Sequence, residues 1–438
     1  MSDYALFLRA KQRTYTGGGV TVDELPTQLY DWQAAIVRWA LKKGRAAIFA
    51  DCGLGKTFMQ VAWANALDVP VLMLAPLCVA EQTVNEAAKL GIDVHYATDQ
   101  DHANGHRLVI TNYERLDKFD VTQFQGVVLD ESSILKAFNG KTRTRLIEAF
   151  QHAPFRLCCT ATPSPNDISE LANHAEFLGL MTRPEFLATW FINIQSSAAG
   201  KTKGWRMKRH AVEPFYRWMS SWAVAVRSPS DLGYSDDGFI LPRLTIHDVT
   251  LTIDGPMGDS LFPEMGGKGL SGRLAARRTS MVDRVEAVSR LIANGDGGQW
   301  LLWCGLNEEA DALTKAIPGA VNVSGSDSYD EKVGAVQAFI RGEIQHLVSK
   351  VRILGFGMNF QHCHNMAFVG MSDSYEAYYQ AIRRCWRYGQ SQPVSAHVVV
   401  SEAERAVVEN VRRKEQKAAG LSANLLRHMR DFERVEIT

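Results

Sequence analysis

Short apolar runs rich in β-branched residues recur along the 438-residue chain, separated by stretches of helical period. The first half holds AAIFA from Ala46, VPVLMLA from Val69, RLVIT from Arg107, GVVLD from Gly126 and FRLCCT from Phe155. The second half holds QWLLWCG from Gln299, AVNVSG from Ala320, QHLVSK from Gln345, NMAFVGM from Asn365 and VSAHVVV from Val394. Continuous apolar runs of this length predict strands buried on both faces, and their alternation with helices predicts an α/β fold with one mostly parallel sheet in each half. Residues 254–272 contain six glycines and two prolines, which predicts a linker between the halves. The stretch from Ile194 to Thr250 fits neither sheet and predicts a partly helical insertion attached to the first half. The expected division is therefore a domain over 1–253, a linker over 254–272 and a second domain over 273–438 with a helical tail.

Composition narrows the setting. Lys+Arg and Asp+Glu both total 48, so no overall basic field draws the chain to nucleic acid, and any such affinity rests on local patches. With 46% hydrophobic residues and a length beyond the roughly 250–300 residues at which one core stops growing, two cores are expected. The seven cysteines are scattered without CxxC pairs, which points to a reducing compartment. The N-terminal MSDYALFLRAKQRTYTGGG lacks the apolar core of a secretory leader, and no run approaches the roughly 20 apolar residues of a membrane span. A soluble cytoplasmic protein without a membrane partner is expected, with a monomer allowed.

The candidate chemistry begins directly after AAIFA, with ADCGLGKT from Ala50 to Thr57. A tight turn between strand and helix aims successive backbone N–H groups at an anion, and the helix N-terminus adds partial positive charge. Gly53 and Gly55 would let the backbone approach a nucleotide, with Leu54 between them. Lys56 would reach the β- and γ-phosphates and Thr57 would place its hydroxyl on Mg²⁺. A second strand must supply a carboxylate for the metal, and GVVLDESS offers Asp130, with Glu131 to orient and deprotonate the attacking water. An acidic pair after a strand is also what an ordinary helix cap gives. In YYQAIRRCWRYGQ, Arg384 and Arg387 are three apart, so on one helix they would share a face and stabilise charge on a γ-phosphate; a solvated basic face is the alternative.

Taken in order, these pieces resemble a superfamily 2 helicase or translocase, closest to the Swi/Snf-like branch of DEAD/DEAH proteins. LYDWQ resembles the Q motif and would make Gln33 the adenine contact. ADCGLGKT resembles motif I with Ala50 in place of its first glycine, DESS stands where the family has DEAH or DEGH, and TATP from Thr160 resembles motif III. LGFGMN resembles motif V, with Gly357 at the nucleotide, and QAIRRCWRYGQ resembles motif VI, with Gln380, Arg384 and Arg387 on its functional positions. The resemblance spans about Leu29 to Ser401, and its second half looks especially like helicases of phages and prophages. It implies two tandem RecA-like domains that hold Mg·ATP between them and move along DNA. It also implies track contacts near Pro76, Thr111, Ser324 and Asn359, and phage replication or recombination proteins as partners.

Other features carry less. KTKGWRMKRH interleaves basic residues with an aromatic, which suits phosphate contact by Lys201 and Lys203 and base stacking by Trp205, or a solvated loop. HCH at His362–His364 lacks further ligands at metal spacing. Arg277 and Arg278 read as part of a solvated helix face, and Trp300, Trp303 and Trp386 as packing.

Overall fold

The computed structural model describes residues 14–76, 79–136, 140–194, 204–252, 277–355 and 358–432. The chain divides into two compact units, Met1–Asp237 with Lys417–Thr438, and Gly238–Gln416. The first is built on strands β1 (Arg45–Ala50), β2 (Val71–Ala75), β3 (His95–Tyr96), β4 (Leu108–Asn112), β5 (Gly126–Asp130), β6 (Phe155–Cys159) and β9 (Ala223–Val226), ordered β3-β4-β2-β5-β6-β1-β9 and parallel throughout. β2, β4 and β5 are buried at every position, because helices flank a parallel sheet on both faces. A separate antiparallel pair joins β7 (Phe191–Ile194) to β8 (Gly204–Met207).

The second unit repeats the layering with β10 (Leu244–Leu251), β11 (Trp300–Cys304), β12 (Ala320–Val323), β13 (His346–Lys350), β14 (Asn365–Val369) and β15 (Val394–Ser401), ordered β10-β15-β14-β11-β13-β12 and again parallel. The fold is thus α/β, with mostly parallel sheets flanked by helices, consistent with two RecA-like domains. Among the described residues no helix is long and apolar enough to cross a membrane.

All ten predicted runs form strands; the short edge strand β3 was not among them, and the other differences lie mainly in the segment expected to be partly helical. It does contain the helix Val212–Ser220, but it also supplies β9, which extends the first sheet, and β10, which pairs with β15 as an edge of the second. β10 reads LTIHDVTL and is only partly buried along its length, as an edge strand is. The linker expected over 254–272 lies outside the described residues. The helix Arg405–Phe432 starts in the second unit, and its last turns belong to the first, where His428 stacks on Tyr216 with 5.6 Å between ring centres.

Arg277 corrects another expectation. Its guanidinium is buried, not solvated, and grips Glu309 with two hydrogen bonds of 2.6 and 2.8 Å while donating to the Val369 carbonyl. Arg284 adds a bond of 2.9 Å to the same carboxylate, which also accepts the Gly305 and Leu306 amides. Burial alone would raise the Glu309 carboxyl, yet the two guanidinium groups and the amides carry it below its usual range. This knot ties the turn after β11 to the end of β14. Removing one partner of such a network leaves charge buried without compensation. Glu309→Ala is therefore expected to lower unfolding free energy by about 3–5 kcal/mol, measured as a reduced denaturant midpoint at unchanged slope.

Candidate nucleotide site and arginine cluster

In the first unit the polar chemistry gathers where the strands end. The turn after β1 runs through Gly53 and Gly55, both with left-handed backbone (φ 85° and 72°), into the helix Lys56–Ala66. The left-handed φ at Gly55 favours glycine, and a Cβ there would lie 2.4 Å from Gln33 Nε2, so the amide would have to shift. Gln33 is buried on the helix Asp31–Lys43; its Nε2 donates to the Leu54 carbonyl at 3.0 Å and its Oε1 accepts the Tyr30 amide at 3.1 Å. The residue expected to read adenine therefore braces the loop from behind. Lys56 Nζ donates to the carbonyls of Ala50 (2.9 Å) and Asp51 (3.1 Å), so the ammonium is folded over its own turn.

β6 lies between β1 and β5, which sets the β1 and β5 ends roughly 10 Å apart by strand spacing. The helix after the turn bridges that gap, and Gln60 Nε2 donates to Asp130 Oδ1 at 2.7 Å. Tyr113 anchors the same residue from the other side, its hydroxyl donating to the Asp130 backbone carbonyl at 2.6 Å. Burial raises the Asp130 carboxyl above its ordinary range, opposed by the Gln60 hydrogen bond and the nearby Lys56 charge. The Asp130 carboxylate also accepts the Glu131 backbone amide, and the Thr57 hydroxyl makes no hydrogen bond among the described residues. Hard oxygen donors of this kind suit Mg²⁺, so the residues present fit the ion that the resemblance implies.

Glu131 follows with φ 52°, the one left-handed backbone among the described non-glycine residues. Its Oε2 accepts the Thr160 hydroxyl at 3.0 Å, and Thr160 Oγ1 in turn accepts the Thr162 amide at 3.1 Å. The turn after β5 is thereby tied to the turn after β6. Behind it, the Ser132 hydroxyl lies 3.1 Å from His174 Nε2, and the imidazole meets the Phe49 ring edge-on.

In the second unit the helix Tyr375–Cys385 is capped by the Ser374 hydroxyl, which accepts the Ala377 amide at 3.2 Å. It stops at Cys385, so Arg387 lies beyond it and the shared-helix-face argument does not hold. The two arginines still converge, by another route: Arg384 Nη1 (2.9 Å) and Arg387 Nη1 (3.4 Å) both donate to the Met358 carbonyl. Gln380 braces Arg384 through its carbonyl and its Oε1, at 3.1 and 2.8 Å. Trp386 is partly buried, its indole N–H donating to the Pro242 carbonyl and the Arg383 guanidinium lying 4.7 Å over its ring.

The expected track contacts fare unevenly. Thr111 is fully buried and donates to the Ala97 carbonyl at 2.7 Å, so its hydroxyl is a strand-end lock and not a surface for DNA. Pro76 is partly exposed, its carbonyl accepting the Val79 amide at 2.9 Å. Ser324 binds Asp327 through its amide and its hydroxyl, and Asn359 bonds to Gln361 through its side chain. Trp205 sits on β8 opposite Asn193, beside exposed Arg206. Lys201, Lys203 and Gly357 lie outside the described residues. Gln60 and Tyr113 were not foreseen, although Gln60 follows Lys56 by four positions and so shares its helix face.

His174 gives this site a pH dependence. Burial pushes its imidazole down to about 3, and Nδ1 is buried without a hydrogen-bond partner. Unfolded histidine takes up its proton near 6.5, so between about 6.5 and 3 the unfolded chain binds the extra proton and stability falls as pH falls. His174→Phe is expected to flatten that part of the stability curve, measured by denaturant unfolding from pH 7 to pH 4.5.

Comparison with known proteins adds independent support. Residues 283–389 match the family described as "Helicase conserved C-terminal domain". Over 218 residues, 42% of this chain, it is 27% identical to the ATP-dependent DNA helicase DDM1 of Arabidopsis thaliana, covering 28% of that protein. Over 432 residues, 89% of this chain, it is 20% identical to the DNA annealing helicase and endonuclease ZRANB3 of Mus musculus, covering 40% of that protein. The chain thus spans less than half the length of either relative. The matched domain lies in the second unit, and both relatives are described as DNA helicases.

Proposed function

We propose that the protein is an ATP-dependent DNA helicase or translocase of the Swi/Snf-like branch, acting in DNA replication, recombination or repair. The observation that carries this reading is the grouping of a glycine turn ending in Lys56 and Thr57, a buried Asp130 and a braced Glu131 on the carboxyl edge of one sheet. The printed descriptions of both relatives, each a DNA helicase, favour DNA as the track.

Lys56 exchanges its loop carbonyls for phosphate oxygens, and the backbone amides of the turn hold the rest of the triphosphate. Thr57 and Asp130 would hold Mg²⁺, which would supply charge neutralisation on the phosphates. Water attacks the γ-phosphorus, the bond to the bridging β–γ oxygen breaks, and the proton of the water passes to Glu131, whose carboxylate Thr160 keeps in place. Arg384 and Arg387 supply positive charge during the transfer, with Gln380 fixing the first of them. Pro76, Trp205, Ser324 and Asn359 are the proposed DNA contacts; backbone contacts of this kind carry no sequence code.

Steady-state ATPase assays without nucleic acid and with single-stranded DNA, duplex, fork and RNA test the reading. Strong stimulation by one DNA form is expected. Lys56→Ala should lower kcat by at least about 10²-fold, and Arg387→Ala by about 10³-fold. Slow hydrolysis indifferent to every DNA form would replace this reading with a nucleotide-gated binding module, and unchanged turnover in Arg387→Ala would remove the arginine from the chemistry.

A further inference from the structure

Gln60 is a polar side chain where packing alone would favour an apolar one. It is completely buried in the helix Lys56–Ala66, whose neighbours Met59, Val61, Ala62 and Trp63 are also buried. Its Nε2 is bonded to Asp130 Oδ1, whereas its Oε1 is buried without a hydrogen-bond partner. A buried amide satisfied at one end only is destabilising relative to an apolar side chain of the same shape. The orientation of the amide is fixed nonetheless, because the reverse would press Oε1 against a carboxylate oxygen, acceptor against acceptor.

We infer that Gln60 is a positioning residue for the metal-binding carboxylate: its N–H anchors Asp130 Oδ1 and so orients the group toward the divalent cation of a bound nucleotide. The inference rests on the ATPase reading above. An aspartate carboxylate turns in a broad torsional well, so the side chain alone does not determine which oxygen faces the ligand. Tyr113 holds the Asp130 main chain, Gln60 holds one carboxylate oxygen and the Glu131 amide also bonds the carboxylate, which together restrict its orientation. Gln60 also lies four residues after Lys56, so the helix that presents the phosphate-binding ammonium carries the carboxylate anchor on the same face. Outer-shell partners of metal ligands typically contribute 10–100-fold in metal affinity or activity.

The test uses the full chain and a fluorescent ADP analogue, titrated first in EDTA and then with increasing Mg²⁺. In wild type, Mg²⁺ should tighten binding. Gln60→Met, of similar shape without the donor, should bind the analogue normally in EDTA while its Mg²⁺ midpoint rises about 10–100-fold; combining it with Asp130→Ala should add nothing to Asp130→Ala alone. Gln60→Leu, of similar size and also lacking the N–H, carries the same expectation should Gln60→Met fail to fold. An unchanged Mg²⁺ midpoint in either folded variant would overturn the inference, as would an equal loss of affinity with and without Mg²⁺, the mark of a merely distorted loop. A wild-type protein whose nucleotide binding ignores Mg²⁺ would overturn the ATPase reading and this inference with it, which separates that failure from the failure of Gln60 alone.

Discussion

A strand buried on both faces has no room for polar chemistry along its length, and this constraint organises both units. β2, β4 and β5 carry no exposed position, so ionisable and nucleophilic groups accumulate where the strands stop. Parallel pairing then brings those stops to one edge: Asp130 is in register with Cys159, and Thr160 follows at once. Motifs far apart in sequence therefore meet without any of them contacting the others along the chain. The second sheet follows the same rule, with Cys304 in register with Lys350 on one side and Val369 on the other.

The edge is assembled from two kinds of backbone. Gly53 and Gly55 take left-handed conformations that cost a glycine little, in the turn between β1 and the helix Lys56–Ala66. Glu131 takes one with a full side chain, at a cost of order 1–3 kcal/mol. It is kept there by the Thr160 hydroxyl on its carboxylate and by the Ile134 amide on its carbonyl, at 3.1 Å. Strain thus appears where a carboxylate must be aimed and not where a loop merely turns, the distribution expected if aiming Glu131 matters to function.

What could be read from the sequence was local. The ten apolar runs are strands because burial on both faces leaves a continuous apolar pattern, and the phosphate turn is legible because its backbone conformation demands glycine. β10 escaped because an edge strand is wetted unevenly, and β9 because a four-residue run of Ala and Val is too short to declare itself. Partners distant in sequence were illegible for a different reason. Nothing near Arg277 announces Glu309, and nothing near Gln60 announces Asp130, 70 residues away. For Arg384 and Arg387 a spacing of three suggested a helix face, but the helix ends between them, and what unites them is the Met358 carbonyl, 26 and 29 residues earlier. The cluster was found for the wrong geometric reason, because spacing describes a helix only as long as the helix lasts.

Gln33 is the residue whose role its partners change most. Its amide offers two N–H donors and its carbonyl two lone pairs, and one of each is already committed, to the Leu54 carbonyl and the Tyr30 amide. What is left for a base is the second donor and the second lone pair. The committed pair does something a base contact alone would not: it links the start of the helix Asp31–Lys43 to the glycine turn, and it packs closely against Gly55, whose Cβ would meet the amide at 2.4 Å. A loop held this way has its shape before a ligand arrives, and binding then need not cover the cost of ordering it. If a base also engages the remaining hydrogen-bonding capacity of Gln33, base and phosphates are joined by two short links through one side chain, so that recognition of the base bears directly on the turn that holds the phosphates.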